Sequence, residues 1–119
     1  MTTVEFLHLT REKIAEEAAW CKGTYATNSA GVPVLVSDRA ACMWCILGAL
    51  DITSRPYNDI ARYEAQRFLE ASLPPNLGNA ALSEFTCVLG AFNDRPETKH
   101  QDVLDLFDRA IAKLLAKDT

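Results

Sequence analysis

Residues Ala40 to Leu50 are 11 consecutive uncharged positions, and this stretch constrains the fold more than any other part of the chain. Such a segment has no side to offer water, so the remaining residues must cover it. It is too short to cross a bilayer, which takes about 20 apolar residues in a helix. Ser37 or Asp38 can cap a helix from about Arg39 to Ile52, with Ala41, Cys42, Cys45, Ile46 and Ala49 on one side and Met43, Trp44, Leu47 and Leu50 elsewhere. The expectation is a central helix, covered on nearly every face. Gly48 falls inside it, where glycine costs about 1 kcal/mol relative to alanine, so something, another helix for example, is expected to pass close to its backbone.

The surrounding segments read as its cover. Thr2 and Glu5 have the spacing of a capping box, and Val4, Leu7, Ile14, Ala18 and Cys21 form one apolar stripe, predicting a first helix from about Thr3 to Lys22 with Gly23 as its stop. Two short runs, Thr24–Thr27 and Val32–Val36, flank a turn at Asn28–Gly31 and predict a small hairpin. Pro33 cannot donate to a ladder, so its run should be an edge or only partly paired. A more polar surface helix from about Tyr57 to Ser72 carries Ile60, Ala61, Ala65, Phe68 and Leu69 as its stripe. Asn79 caps a fourth helix with Leu82, Phe85, Leu89 and Phe92. A fifth helix follows the Thr98–Gln101 capping spacing and carries Val103, Leu104, Phe107, Ala110, Ile111, Leu114 and Leu115 as a wide apolar face. The 119 residues therefore predict one all-α domain, 1–119, of about five helices around an apolar central helix, with a small β-hairpin between helices 1 and 2.

Charge narrows the partners. Twelve Lys and Arg against 16 Asp and Glu give a net charge of −4, with no positive surplus to hold a phosphate backbone, which disfavours nucleic acid. The start, Met1-Thr2-Thr3-Val4-Glu5, lacks the basic and apolar regions of a secretory signal, so a cytoplasmic location, no membrane partner and free thiols are expected. Of the four cysteines, Cys42 and Cys45 have a Cys-x-x-Cys spacing that suits zinc or dithiol chemistry. Cys21 and Cys87 are isolated and no His stands close to either, so no metal is assigned. The simpler reading is four small buried fillers of a helical core.

Cys45-Ile46-Leu47-Gly48-Ala49 is echoed 42 positions later as Cys87-Val88-Leu89-Gly90-Ala91, a match too short to establish duplication. The order of short words along the chain is more telling: Trp20-Cys21-Lys22-Gly23, Ala30-Gly31-Val32-Pro33-Val34, Ala41 with Trp44-Cys45 and Gly48-Ala49-Leu50, Phe92-Asn93-Asp94, then Val103-Leu104 and Asp108-Arg109-Ala110-Ile111. In these words, from about residue 3 to 115 but with none between Asp51 and Ala80, the chain resembles a family of small bacterial and phage proteins known only as a domain of unknown function, DUF6197. The resemblance implies a fold-sized unit and brings no catalytic residues and no cofactor with it.

Two functions from different classes follow. Nucleophilic catalysis needs a thiol, a base and a group that orients the base; Cys45, His100 and Asp94 or Asn93 are the set at hand, provided that the last loop folds back over the central helix. Against this, His100 at a helix start is expected to be exposed, and Asn93-Asp94 is read first as a turn. No phosphate-binding glycine loop, Gly-x-Ser-x-Gly elbow or His-Glu-x-x-His helix occurs. The favoured expectation is a non-catalytic module that binds another macromolecule, a protein, with a homo-oligomer as one form of it. Its binding residues would be Tyr57, Arg62, Tyr63 and Arg67 on the polar helix, with Asn93 and Asp94, since tyrosine and arginine most often anchor interfaces. The tip Asn28–Gly31 is a second projecting feature. Trp20 and Trp44, as an alternative to core packing, would line a small-molecule pocket with the cysteines. In the phage setting that the resemblance allows, such a protein would inhibit a host factor by occupying its basic surface.

Overall fold

The computed structural model describes residues 1–55, 59–74 and 88–117. Among these, five α-helices and one two-stranded antiparallel sheet form a mainly helical fold: α1 (Thr3–Lys13), β1 (Ala26–Thr27), β2 (Met43–Trp44), α2 (Ile46–Ser54), α3 (Asp59–Ala71), α4 (Val88–Asp94) and α5 (His100–Lys117). Tyr57, Cys87 and the expected fourth-helix residues from Asn79 to Phe85 lie outside the described residues.

The long amphipathic helices form where periodicity places them. On α5 the residues Val103, Leu104, Phe107, Ala110, Ile111 and Leu114 are buried, while Leu115, expected on the same face, lies at its edge and is exposed; α3 packs through Ala61, Ala65 and Leu69 at four-residue spacing. Ile60 lies off that line and is 79% exposed, outside the buried stripe expected for it. The capping box at the start of α1 is present: the Thr2 hydroxyl accepts from Glu5 N at 3.1 Å and donates to the Glu5 carboxylate at 3.1 Å. At α5 the cap differs from the expected pair. Asp102 accepts from Lys99 N at 2.9 Å, while the Thr98 hydroxyl accepts from Arg95 Nε at 3.3 Å.

Both ends of the 14–45 region depart from the helices predicted there. The first helix stops at Lys13 rather than Lys22, with no glycine or proline to end it. Continuation would have the Ile14 carbonyl accept from the amide of residue 18. His100 Nε2 donates to that carbonyl instead, at 2.7 Å, and the Ile14 side chain is fully buried. Further along, Trp20 pairs with Trp44 in a parallel bridge, Cys21 N donates to Trp44 O at 3.1 Å, and Ala26 and Thr27 pair antiparallel with Trp44 and Met43. Residues 43 and 44, expected inside the central helix, are therefore extended. The strand facing Ala26–Thr27 is Met43–Trp44, and the Val32–Val36 run contributes only a bridge at Pro33.

The central helix begins at Ile46, and residues 46 to 50 are buried in succession. It packs on α1, α3 and α4, while α1, α3 and α5 pack on one another; Phe6 of α1, Phe92 of α4 and Phe107 of α5 are the largest side chains buried in the shared core. Gly48 marks a close approach, as expected, although by a loop backbone and not by a helix. A Cβ here would collide with the Tyr25 carbonyl oxygen and come within 2.8 Å of its carbon. That same carbonyl accepts from Cys45 N at 3.3 Å, so β1 is held against the start of α2. Among the described residues, no helix is long and apolar enough to cross a membrane.

Candidate functional site

Two groups of polar and aromatic side chains stand out, one inside the molecule and one on its surface. The inner group is built on Asn93, near the end of α4 and fully buried. Its Oδ1 accepts from Trp20 Nε1 at 2.8 Å and from Ile46 N at 3.1 Å; its Nδ2 donates to Cys21 O at 3.0 Å and to Asp94 Oδ1 at 2.9 Å. All four positions that an asparagine amide can use are taken. Asp94 Oδ1 also accepts from Gly23 N at 2.9 Å, which the positive φ of Gly23 (82°) presents to it. Lys22 reaches over the Trp20 ring to donate to Arg95 O at 2.8 Å. Asn93 and Asp94 thus fasten the segment before β1 to the start of α2, rather than making a local turn.

Cys45 sits beside this group as the N-cap of α2, where its Sγ accepts from Gly48 N at 3.4 Å. A helix start favours a thiolate. Burial outweighs it and pushes the Cys45 thiol up, even with the Gly48 and Leu47 amides pulling down. The Cys21 thiol is pushed up to about 12, first by burial and then by the neighbouring Cys45, Asp94 and Cys42. Cys42 is exposed, so it does not fill core space as expected of it. His100 is half-buried rather than exposed: besides bonding Ile14 O, it lies 5.8 Å from the Trp20 ring centroid. Because its Nε2 donates to a carbonyl, that nitrogen is occupied, and its ring faces Trp20. No bond joins Cys45 to His100 or Asp94 to His100 among the described residues. A cleft of about 490 Å³ lies beside His100, lined by Glu17, Trp20, Lys22, Thr98, Lys99 and Gln101, and the described cysteines are not in its wall.

The outer group lies on α3. Tyr63 is 62% exposed, Arg67 donates to its hydroxyl at 3.0 Å, and the Arg67 guanidinium stands 5.6 Å from the Tyr63 ring centroid. Ile60 precedes Tyr63 by one helical turn, and a shallow cleft of about 570 Å³ between α3 and the chain start brings exposed Met1 to the same side. Arg62 belongs to different surroundings. Its guanidinium bonds Asp51 at 2.9 Å and the Ser54 hydroxyl at 3.5 Å, tying α3 to α2. Of the residues singled out in the sequence, Tyr63 and Arg67 are therefore brought together, Arg62 is turned inward, and Asn93 and Asp94 lie in the other group. Ile60 was missed because the stripe it was assigned to includes both flanks of the buried line.

The model of the Family of unknown function (DUF6197) matches residues 1–113. The chain belongs to that family. No curated protein and no solved structure matches the chain. In this DUF6197 protein the words that carried the resemblance, Trp20-Cys21-Lys22-Gly23, Trp44-Cys45 and Phe92-Asn93-Asp94, meet in the inner group, while Tyr63 and Arg67 lie away from them.

Proposed function

We propose that this DUF6197 protein acts without covalent chemistry, as a module that binds another protein through the outer face of α3 and regulates or inhibits it by occupying its surface. The observation that carries the reading is the pairing of Ile60 and Tyr63, 79% and 62% exposed, on a helix whose opposite face is packed into the core. An exposed aromatic beside an exposed aliphatic and an arginine has the composition of an interface anchor. Arg67 already holds the Tyr63 ring, so less side-chain freedom is lost on docking. A thiol-centred activity has less support, since Cys45 is 5% exposed with its thiol pushed up, and among the described residues no hydrogen bond joins it to His100.

Capture from native lysate with a tagged chain tests the reading. The wild type is expected to retain a partner, an untagged copy of the chain counting as one, and Tyr63→Ala and Ile60→Asp to lose it while keeping the helical circular-dichroism spectrum. Recovery of the same proteins on all three baits, or of none on any, sinks the proposal.

A further inference from the structure

We infer that the partner which fits the outer face of α3 is a second copy of this chain, its α3 antiparallel to the first about a twofold axis at Tyr63. The inference rests on the reading of that face as a docking surface and names its occupant. In a twofold contact each residue ahead of the axis meets the one equally far behind it on the other copy. On α3 the charged positions four residues to either side of Tyr63 are Asp59 and Arg67, of opposite sign. An α-helix places residues four apart about 6 Å along its axis and about 40° around it, so both flank Tyr63 on the same face. Antiparallel docking sets Asp59 of each copy beside Arg67 of the other, twice, with the two Tyr63 rings at the centre.

The alternative alignment fails on the same residues, since parallel helices in register would put Asp59 on Asp59 and Arg67 on Arg67. Both side chains are available for the contact. Each is exposed, and among the described residues neither is in an ion pair, whereas Arg62, Arg11, Arg55 and Arg95 are. Ile60, 79% exposed, and Met1, 59% exposed, extend the apolar area on one flank of the pair. The two ion pairs give direction and register, and the tyrosine and isoleucine give the area removed from water.

Sedimentation equilibrium on the purified chain, read against concentration, tests this. The wild type is expected to dimerise. Arg67→Glu alone sets a carboxylate against Asp59, and Asp59→Lys alone sets an ammonium against Arg67, so each should raise the dimer Kd by about tenfold or more. An equimolar mixture of the two variants should dimerise again, because the introduced lysine meets the introduced glutamate at one end and the native pair re-forms at the other. A wild type that stays monomeric up to its solubility limit overturns the inference, and so does a dimer indifferent to both variants. A monomeric wild type whose Tyr63-dependent lysate partner persists removes the second copy and leaves the docking surface standing; a monomer without such a partner removes both.

Discussion

The Asn93 group and the outer face of α3 are made of similar residue types and put to opposite uses. Around Asn93, groups of residues 20, 21, 46 and 94 fill all four hydrogen-bonding positions of the buried amide. On α3, Tyr63 and Arg67 bond only each other among the described residues, and Ile60 meets water. Buried polar groups must be matched because an unmatched one costs about 1–3 kcal/mol. Exposed ones carry no such obligation and remain free to meet a partner. Residue type alone therefore does not separate a brace from a binding site; the difference lies in whether the bonding capacity is spent within the chain.

The sharpest way to break that contrast is Asn93→Ala. It strands Trp20 Nε1, Ile46 N and Cys21 O together, so a loss of about 3 kcal/mol or more in unfolding free energy is expected, measured by urea titration. A loss under about 1 kcal/mol would mean that water or rearrangement replaces the amide, and that the inner group is not a brace. Next in size is an alkaline effect. The Cys21 thiol ionises near 9 when free and is pushed up to about 12 by burial, so the folded chain holds this proton longer than the unfolded one. Its contribution to stability is present in full below pH 9 and is lost as pH rises from 9 towards 12. Thermal unfolding of Cys21→Ala should show a shallower fall over that range than wild type, and an equal fall would sink the assignment. The smallest effects separate neighbours on α3. Arg62→Ala should cost about 1 kcal/mol by breaking the partly exposed link to Asp51, whereas Tyr63→Ala should stay within about 0.5 kcal/mol of the wild type. Equal losses would return Arg62 and Tyr63 to one surface.

How much of this was legible depends on distance along the chain. The buried lines of α3 and α5 and the cap of α1 are local patterns, set within a few turns, and they read directly, while Ile60 and Leu115 at the edges of those faces did not. Gly48 announced a close neighbour, and it has one. The boundaries at Lys13 and Ile46 did not read, because the features that set them come from elsewhere: His100 takes the Ile14 carbonyl from 86 positions away, and Trp20 and Ala26 draw Trp44 into an extended pairing. A stretch that is apolar on every side suits a buried strand as well as a buried helix, so its pattern could not decide where the helix starts. Asn93-Asp94 looked like a turn or a site for the same reason, since its partners lie 47 to 73 positions upstream. On the surface, Tyr63 and Arg67 were recognisable by type, while Arg62 needed Asp51 to show that it faces inward.

The long reach of Asn93 also bears on the order in which the chain is made. A ribosome delivers Trp20, Cys21 and Ile46 well before the residue that joins them, and those indole, carbonyl and amide groups have no native partner until Asn93 emerges. The amino-terminal half must therefore wait in a provisional form during synthesis. A nascent chain stalled short of Asn93 should be protease-sensitive, and one released with Asn93 included should close all at once.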